Sequence, residues 1–292
     1  MSDAVRYHVE HVTRYVHAER ASTSLHVAYL EPRSLPQQLV VAHQLVVSPE
    51  PVDVHHRLDY FGNVVRHFSV VSPYKELTVS AESMVEVAGG DPIEAEGGPA
   101  WEHARPAEYD DPWRVFEYSL PSPYVQIAPA LAEYAAESFP PDRPLVAAAL
   151  DLMHRIHREF RFDAGATTIT TPVTRVLDER EGVCQDFAHV QIGCLRALGL
   201  AARYVSGYLL TDPPPGQPRL QGADASHAWL AVHCPGMGWI DLDPTNDVIP
   251  ADRHIVLAWG RDYGDVSPLR GVVLGGGRHV LHVGVNVKKV AG

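Results

Sequence analysis

The chain has 292 residues, a length that favours two domains over the alternative of one large domain. With 46% hydrophobic and 21% charged residues, its composition is that of a packed globular protein. A formal net charge of −12, from 24 basic and 36 acidic residues, disfavours nucleic acid as a partner, because such binding depends on clustered Lys and Arg. No cationic leader with an apolar stretch and no run of 18 apolar residues is found, so we expect a cytoplasmic protein with no membrane partner.

Alternating segments dominate the first third of the chain. RYHVEHVTRYV, QLVVAHQLVVSP and ELTVSAESMVEV lie within residues 6–87 and are separated by Pro, Gly and Asn, which predicts an antiparallel β domain. Residues 89–112 are rich in Gly, Pro and acidic residues and form the best linker candidate. We therefore predict a β-rich domain over residues 1–120 and a catalytic domain over residues 121–292.

Two helices are predicted at the start of the second domain. QIAPALAEYAAESF and LVAAALDLMHRIHREFRF have apolar residues at helical spacing, and each follows a Pro-containing segment. The proline-rich stretch DPPPGQP at 212–218 is a candidate rim of an active site.

The segment REGVCQDFAHVQIGCLRALGL places Cys184 in the first turn of a buried helix. Unpaired N–H groups and the positive end of the helix dipole favour a thiolate there. Taken alone, Cys184 is better explained as a small apolar residue packed at a helix start. The positions of Cys194 inside the same helix and of Cys234 in a turn favour structural roles.

A β-hairpin supplies the partners that a nucleophilic thiol requires. SHAWLAVHC and GWIDLD flank a CPGMG turn, and a register with His233 opposite Met237 places His227 directly across from Asp243. An imidazole takes the thiol proton, and a carboxylate orients the imidazole. Asp241 shares the face of Asp243 and is its main competitor.

The 17 histidines raise the question of a metal site. No HExxH motif occurs, and the closest His pairs lack an obvious third ligand, so we expect neither a metal nor another cofactor. Three cysteines with no CxxC pair predict free thiols.

GATTITTPVTRVLDEREGVCQDFAHVQIGCLRALGLAARYVSGYL and ASHAWLAVHCPGMGWIDLDPTN resemble the Cys, His and Asp motifs of bacterial transglutaminase-like cysteine proteases, in a match over nearly the whole chain. The resemblance implies an α+β fold, with a papain-like transglutaminase core in which the nucleophile helix packs on an antiparallel sheet and an antiparallel β domain precedes it. It also implies Cys184 as nucleophile, His227 as general base and acid, and Asp243 as the orienting carboxylate. AARYVSGYLL would add a strand beside the helix.

The oxyanion donors are only partly assigned. Phe160 and Phe162 stand where relatives are expected to have a hydroxyl-bearing aromatic, so the second donor is open. The backbone N–H of Cys184 is the first candidate, and Gln185 can contribute or simply lie on the helix surface. Trp229 can line the cleft, although large aromatics on such strands are more often core residues.

The predicted function is cysteine-dependent acyl transfer, favouring hydrolysis of peptide or isopeptide amide bonds in a peptide or protein substrate. The alternatives are amine acyl transfer, including from a thioester to an arylamine, and protein crosslinking. A different class is a non-catalytic scaffold on the same fold, with the β domain making partner contacts. The natural substrate, the acyl acceptor and the oligomeric state are left open.

Overall fold

The secondary structure is rich in strands at both ends and has its main helices between them. The computed structural model describes residues 4–90, 93–94, 96–106, 113–211 and 226–290. The strands are β1 (Val5–Ala28), β2 (Gln38–Ser48), β3 (Asp53–Leu58), β4 (Val64–Val70), β5 (Tyr74–Val87), β6 (Arg161–Phe162), β7 (Glu181–Gly182), β8 (Ala202–Leu209), β9 (Ser226–Cys234), β10 (Gly238–Leu242), β11 (His254–Gly260), β12 (Leu269–Gly275) and β13 (His279–Val290). The helices are α1 (Trp113–Phe116), α2 (Pro129–Ala136), α3 (Leu145–Glu159), α4 (Val173–Glu179), α5 (Cys184–Ala197) and α6 (Tyr263–Val266), with short 3-10 helices at Trp101–Ala104 and Glu117–Ser119.

The long strand β1 is the centre of the N-terminal antiparallel sheet, whose main order is β2-β5-β1-β4-β3. Its first half pairs with β5, and its second half pairs with β4. The register shifts between Val16 and Ala21, as at a β-bulge, where the strand passes from one half of the sheet to the other. The alternating apolar residues of these strands bury a separate core that includes Phe68, Leu77 and Val79. The predicted antiparallel β region is thus present.

Two C-terminal strands return to this N-terminal sheet. β12 and β13 both pair with β1, on the side opposite β4 and β5. The predicted domain boundary at residue 120 places residues 269–290 in the catalytic domain. The strand pairing instead places β12 and β13 in the N-terminal sheet. The apolar alternation of these residues indicates a strand, but alternation carries no information about which strand is its partner.

The catalytic half has a buried helix packed on a four-stranded antiparallel sheet of order β10-β9-β8-β11. Helix α5 contacts β8 and β9 on one side and α2, α3 and α4 on others, and its residues 186–196 are all buried. β8 is the strand expected beside the nucleophile helix. The α+β arrangement predicted from the sequence is confirmed. Within the described ranges, no helix is long and apolar enough to cross a bilayer.

The N-terminal sheet covers the open edge of β11. The Gln38 side chain donates to the carbonyl of Val256 at 2.8 Å and accepts from its N–H at 2.8 Å. In the same way, Asn63 donates to the carbonyl of Trp259 at 2.9 Å and accepts from its N–H at 3.0 Å. These two amides occupy the ladder positions that another strand would fill, and they tie the two halves together.

Candidate active site

Cys184 is the first residue of α5, as the sequence predicts. The helix start is fixed by Asp186, whose Oδ2 accepts from the N–H of Val183 at 2.9 Å and from the hydroxyl of Thr167 at 2.6 Å. A Cβ on Gly182 would lie 2.7 Å from that oxygen, so this approach requires glycine. The first turn of the helix therefore presents Cys184 with N–H groups that have no acceptor within the helix.

The three thiols have different surroundings. Cys184 is partly exposed, whereas Cys194 and Cys234 are fully buried. Burial raises the pKa of Cys194 to about 12 and also raises the pKa of Cys234. Their thiols therefore stay protonated and shielded, which fits the structural roles expected for them.

The hairpin that carries His227 has a different register from the predicted one. His233 faces Trp239 and not Met237, a shift of two residues. The physical reason is the turn, in which residues 235–237 all lie outside the strand pairs and Gly236 has a φ of 80°. The turn is therefore centred on Gly236 and not on Pro235, which moves the partner of each residue by two positions.

The predicted contact between His227 and Asp243 is nevertheless present. β10 ends at Leu242, and Asp243 lies just beyond it, in an isolated bridge with Val248. Its Oδ2 is 2.7 Å from Nε2 of His227. Asp241, the competing carboxylate, faces Ala231 across the hairpin. The turn after β10 thus brings the Asp243 carboxylate to His227, although the strands do not adopt the register predicted from the sequence.

The Asp243 carboxylate is fully buried and accepts several hydrogen bonds. Its Oδ1 accepts from the backbone N–H groups of Thr245 at 3.0 Å and Asn246 at 3.2 Å. Its Oδ2 accepts from Nε2 of His227, from Nδ2 of Asn246 at 2.7 Å and from Nε2 of His254 at 3.0 Å. Burial alone would raise the pKa of Asp243. The hydrogen bonds that its carboxylate accepts, above all those from His227 and His254, outweigh burial and hold this pKa well below its usual range.

His227 lies between an acid and a thiol. Burial alone would lower its pKa, but hydrogen bonds to Asp243 and to Cys184, together with their charges, raise the pKa of His227 to about 10. Because Nε2 is committed to Asp243, Nδ1 is left for Cys184. This arrangement places one imidazole between a carboxylate and a thiol.

Helix α3 anchors the turn that carries Asp243. Nδ1 of His154 pairs with the Asp247 carboxylate, and Nδ1 of His157 donates to the carbonyl of Thr245 at 3.0 Å. His154 and His157 are one of the closely spaced His pairs of the sequence, and their contacts hold the turn over residues 243–248 against α3. The turn geometry and the hydrogen bonds to Asp243 therefore support each other.

A cavity of about 250 Å³ opens beside the thiol and the imidazole. Its lining includes Cys184, Gln185, Tyr204, His227 and Tyr263. Gln185 thus lies at the cleft, as one of its two interpretations predicted. Trp229 is fully buried and does not line this cavity. Its ring stacks on that of His227, with the ring centroids 6.0 Å apart, and so helps to fix the imidazole.

Sequence reasoning missed three residues at this site: Tyr204, Asn246 and His254. The alternation of RYVSGYL could have placed Tyr204 on the face of β8 towards α5, but a tyrosine in such a strand is ordinarily a core residue. Burial raises the pKa of Tyr204 well above its usual range, and the Cys184 charge acts in the same direction. Its hydroxyl therefore keeps its proton and can donate. Asn246 lies in the turn after β10, in a DPTN segment whose ordinary role is a local turn bond, and its Nδ2 lies 3.2 Å from Nε2 of His227.

The two phenylalanines ahead of the cysteine do not supply a donor. Phe160 is buried against Phe187, and Phe162 is largely exposed. The predicted rim at 212–218 lies outside the described residues.

His227, Asp243 and His254 bring three possible metal ligands within 4.8 Å of one another. Both imidazoles donate an Nε2 proton to the same carboxylate oxygen. A metal ion would have to displace those protons, and the interactions that raise the pKa of His227 oppose this step. The closeness of the three groups is fully explained by hydrogen bonding.

Two family models match the chain. Residues 7–86 match the bacterial transglutaminase-like N-terminal region, and residues 132–244 match the transglutaminase-like superfamily. A solved structure of a candidate cysteine protease from Cytophaga hutchinsonii superposes with a TM-score of 0.78 at 20% identity, over 100% of this chain and 92% of that one. This likeness is one of fold.

Sequence relatives cover the whole length. An uncharacterized protein of Mycobacterium tuberculosis is 44% identical over 98% of this chain and 94% of its own, and one from Mycobacterium leprae is 33% identical over 98% and 99%. A protein-glutamine gamma-glutamyltransferase of Pseudomonas aeruginosa is 31% identical over 52% of this chain and 23% of its own length. On its motifs, its fold and these matches, the chain belongs to the bacterial transglutaminase-like family.

Proposed function

We propose that this chain is a cysteine-dependent acyl-transfer enzyme that hydrolyses peptide or isopeptide amide bonds through a Cys184 acyl-enzyme. The observation that carries the proposal is the placement of His227, which bonds both Asp243 and Cys184 beside an open cavity. A histidine with a purely structural role would not require a thiol at a helix start on one side and, on the other, a carboxylate that accepts several hydrogen bonds. The three roles required for nucleophilic catalysis by a thiol are filled by neighbouring residues.

In the first step, the Cys184 sulfur attacks the carbonyl carbon of an amide. The C=O π electrons move to the oxygen and form a tetrahedral oxyanion, and His227 holds the former thiol proton. The amine then leaves as the C–N bond breaks and takes that proton from His227. Asp243 keeps its charge and stabilises the imidazolium throughout.

The oxyanion needs donors that are fixed before the reaction. The backbone N–H of Cys184 at the helix start is the first. We propose the Tyr204 hydroxyl as the second, because it lines the cavity and burial keeps it protonated. Gln185 is the alternative donor on the same wall.

In the second step, neutral His227 takes a proton from water, whose oxygen attacks the thioester carbonyl. The C–S bond then breaks, the acid is released, and the Cys184 sulfur takes the proton back from His227. An amine in place of water would give amide exchange or protein crosslinking. The Pseudomonas aeruginosa relative named protein-glutamine gamma-glutamyltransferase supports this second candidate. Transfer from a thioester to an arylamine uses the same residues.

The competing proposal from another class is a scaffold that binds partners through its β domain. The organisation of the site disfavours this role, since a scaffold has no need for a buried His and Asp pair aimed at a partly exposed thiol. Within the enzyme proposal, the partner is a peptide or protein substrate, and nucleic acid and membranes are not involved. Three unpaired thiols favour a reducing compartment, and we propose the cytoplasm.

Trapping the acyl group tests the proposal. The chain is mixed with p-nitrophenyl acetate, quenched in acid and mapped by mass spectrometry, with Cys184→Ala and Cys194→Ala as matched variants. We expect an acetyl group on Cys184 in the wild type and in Cys194→Ala. A glutamine-containing dipeptide with and without hydroxylamine then separates the acyl acceptors, since hydroxamate forms only if an amine outcompetes water. An absence of acylation at Cys184 would favour the scaffold.

A further inference from the structure

The first residue of β11, His254, lies on the far side of Asp243 from the thiol. Its Nε2 is 3.0 Å from Oδ2 of Asp243, and its side chain is almost completely buried. An ionised carboxylate can only accept, so Nε2 must carry a proton and donate it. His254 therefore contributes to the hydrogen-bonding shell of the carboxylate that orients His227.

The other nitrogen of His254 has an unmet requirement. Nδ1 is buried and has no hydrogen-bond partner among the described residues. His254 lines a small cavity of about 60 Å³, and Trp229 and Asp241 line it as well. Oδ1 of Asp241 and Nε1 of Trp229 are likewise buried without a partner in the part of the chain that the structure describes, and the Trp229 indole lies close enough to Asp241 to lower its pKa. Two acceptors and one donor thus border one cavity, although buried polar atoms in proteins are nearly always paired.

Water is the ligand whose chemistry fits this cavity. It carries two O–H donors, one for Nδ1 of His254 and one for Oδ1 of Asp241. A buried water occupies roughly 10–15 Å³ of such space and needs at least two polar partners, so the cavity is large enough and suitably lined. A donated proton at Nδ1 also fixes the tautomer in which Nε2 donates to Asp243.

We propose that His254 is a positioning residue that extends the Cys184, His227 and Asp243 set to four members, and that a buried water bridging its Nδ1 to Asp241 holds it in place. The role in catalysis depends on the proposed acyl transfer, whereas the bridging water and the tautomer do not.

Packing supports a fixed orientation for this imidazole. Its ring meets that of Trp229 edge to face, with centroids 5.2 Å apart. The N-terminal sheet closes the cavity, since Gln38 and Val87 are part of the lining, and Gln38 also binds the backbone of Val256 in the same strand. The β domain therefore contributes one wall of the cavity beside His254.

Paired substitutions test the positioning role. His254→Phe keeps a ring but has no donor, and His254→Gln keeps an N–H that can reach Asp243. The control is His26→Phe, at a similarly buried histidine of the β domain. Thermal unfolding establishes that each variant is folded, and the rate of Cys184 acetylation by p-nitrophenyl acetate is compared.

We expect His254→Phe to lower this rate by about ten- to a hundredfold, by analogy with the loss seen when the hydrogen-bond partners of metal-ligating residues are removed. His254→Gln should restore most of it, and His26→Phe should leave it unchanged. A folded His254→Phe variant that acetylates at the wild-type rate would overturn the positioning role.

Nitrogen-15 NMR of the wild-type histidines tests the water bridge independently of any activity. The expected spectrum shows His254 with a protonated Nε2 and an unprotonated Nδ1, and a cross-peak between the imidazole and a long-lived water. A proton on Nδ1, or no such water, would overturn the bridge. If the wild type acquires no acetyl group, the proposed acyl transfer fails together with the positioning role, while this spectrum still decides the water bridge.

Discussion

His227 and Asp243 are in contact although the hairpin does not pair them. The strands place His233 opposite Trp239, and in that register the residue facing His227 would be Thr245. Asp243 reaches Nε2 of His227 at 2.7 Å because the chain leaves β10 after Leu242. The contact therefore depends on the turn over residues 243–248 as much as on the sheet.

Asp243→Asn should uncouple His227 from its acid. The amide can turn an NH₂ group towards donors, and it removes the charge that helps to raise the pKa of His227 to about 10. We expect the imidazole to titrate several pH units lower in NMR experiments, and acylation of Cys184 to fall by roughly a thousandfold or more, as in other triads. Asp247→Asn, which alters only the contact of the turn with His154, is the matched control and should leave the titration of His227 nearly unchanged.

The raised pKa of His227 also predicts a pH dependence of stability. Its folded-state pKa lies above the unfolded value of about 6.5, so its contribution is complete below that value and is lost as pH rises through the folded pKa. We expect the stability difference between Cys184→Ala and Cys184→Ala/His227→Gln to shrink by up to about 1.4 kcal/mol per pH unit above pH 6.5. Urea unfolding at several pH values measures it. The Cys184→Ala background removes the thiol proton from the balance and also the Cys184 interactions that help to raise the pKa of His227, so Asp243 alone maintains the shift and the loss of stability sets in at a lower pH than in the wild type. A difference that grows with pH would contradict the assignment.

Tyr204→Phe tests the second oxyanion donor. The ring that packs in β8 is kept and only the hydroxyl is lost, so we expect little change in melting temperature and a fall in acylation rate of about 10²–10³-fold. Tyr208→Phe is the matched control on the same strand, because its hydroxyl hydrogen-bonds His11 at 2.9 Å and lies outside the cavity lining. It should lower stability and leave the rate intact. Equal rates for Tyr204→Phe and the wild type would assign the role to Gln185.

Gly207→Ala should disturb the support beneath His227. Gly207 faces His227 across β8 and β9, and a Cβ there would lie 2.4 Å from the Trp229 ring and 2.2 Å from the carbonyl oxygen of Ile255. Such overpacking costs about 1–3 kcal/mol or more in the free energy of unfolding. Gly284→Ala in β13, where a Cβ meets nothing within 4 Å, is the control. Denaturant unfolding of both variants should show a large loss only at position 207.

The sequence predicts local features of this site better than its distant ones. The position of Cys184 follows from the apolar pattern of one helix. The sequence places Asp243 near His227 only through a register that is wrong by two residues, and the turn after β10 makes the contact. His254 is contributed by a separate strand. β12 and β13 both pair with β1, which lies more than 240 residues earlier in the chain. Periodicity in one segment gives its conformation and its buried face, but not which other segment will cover that face.

The most direct test of the central claim is site-resolved alkylation of the three thiols by iodoacetamide from pH 5 to 9, on the wild type and on His227→Ala. A thiol with an ordinary pKa of about 8.5 is less than roughly 1% ionised at pH 6. We predict that Cys184 reacts readily at pH 6, that Cys194 and Cys234 do not, and that Cys184 loses this reactivity without His227. If Cys184 is inert at pH 6, or reacts identically in the two proteins, the activated nucleophile is contradicted.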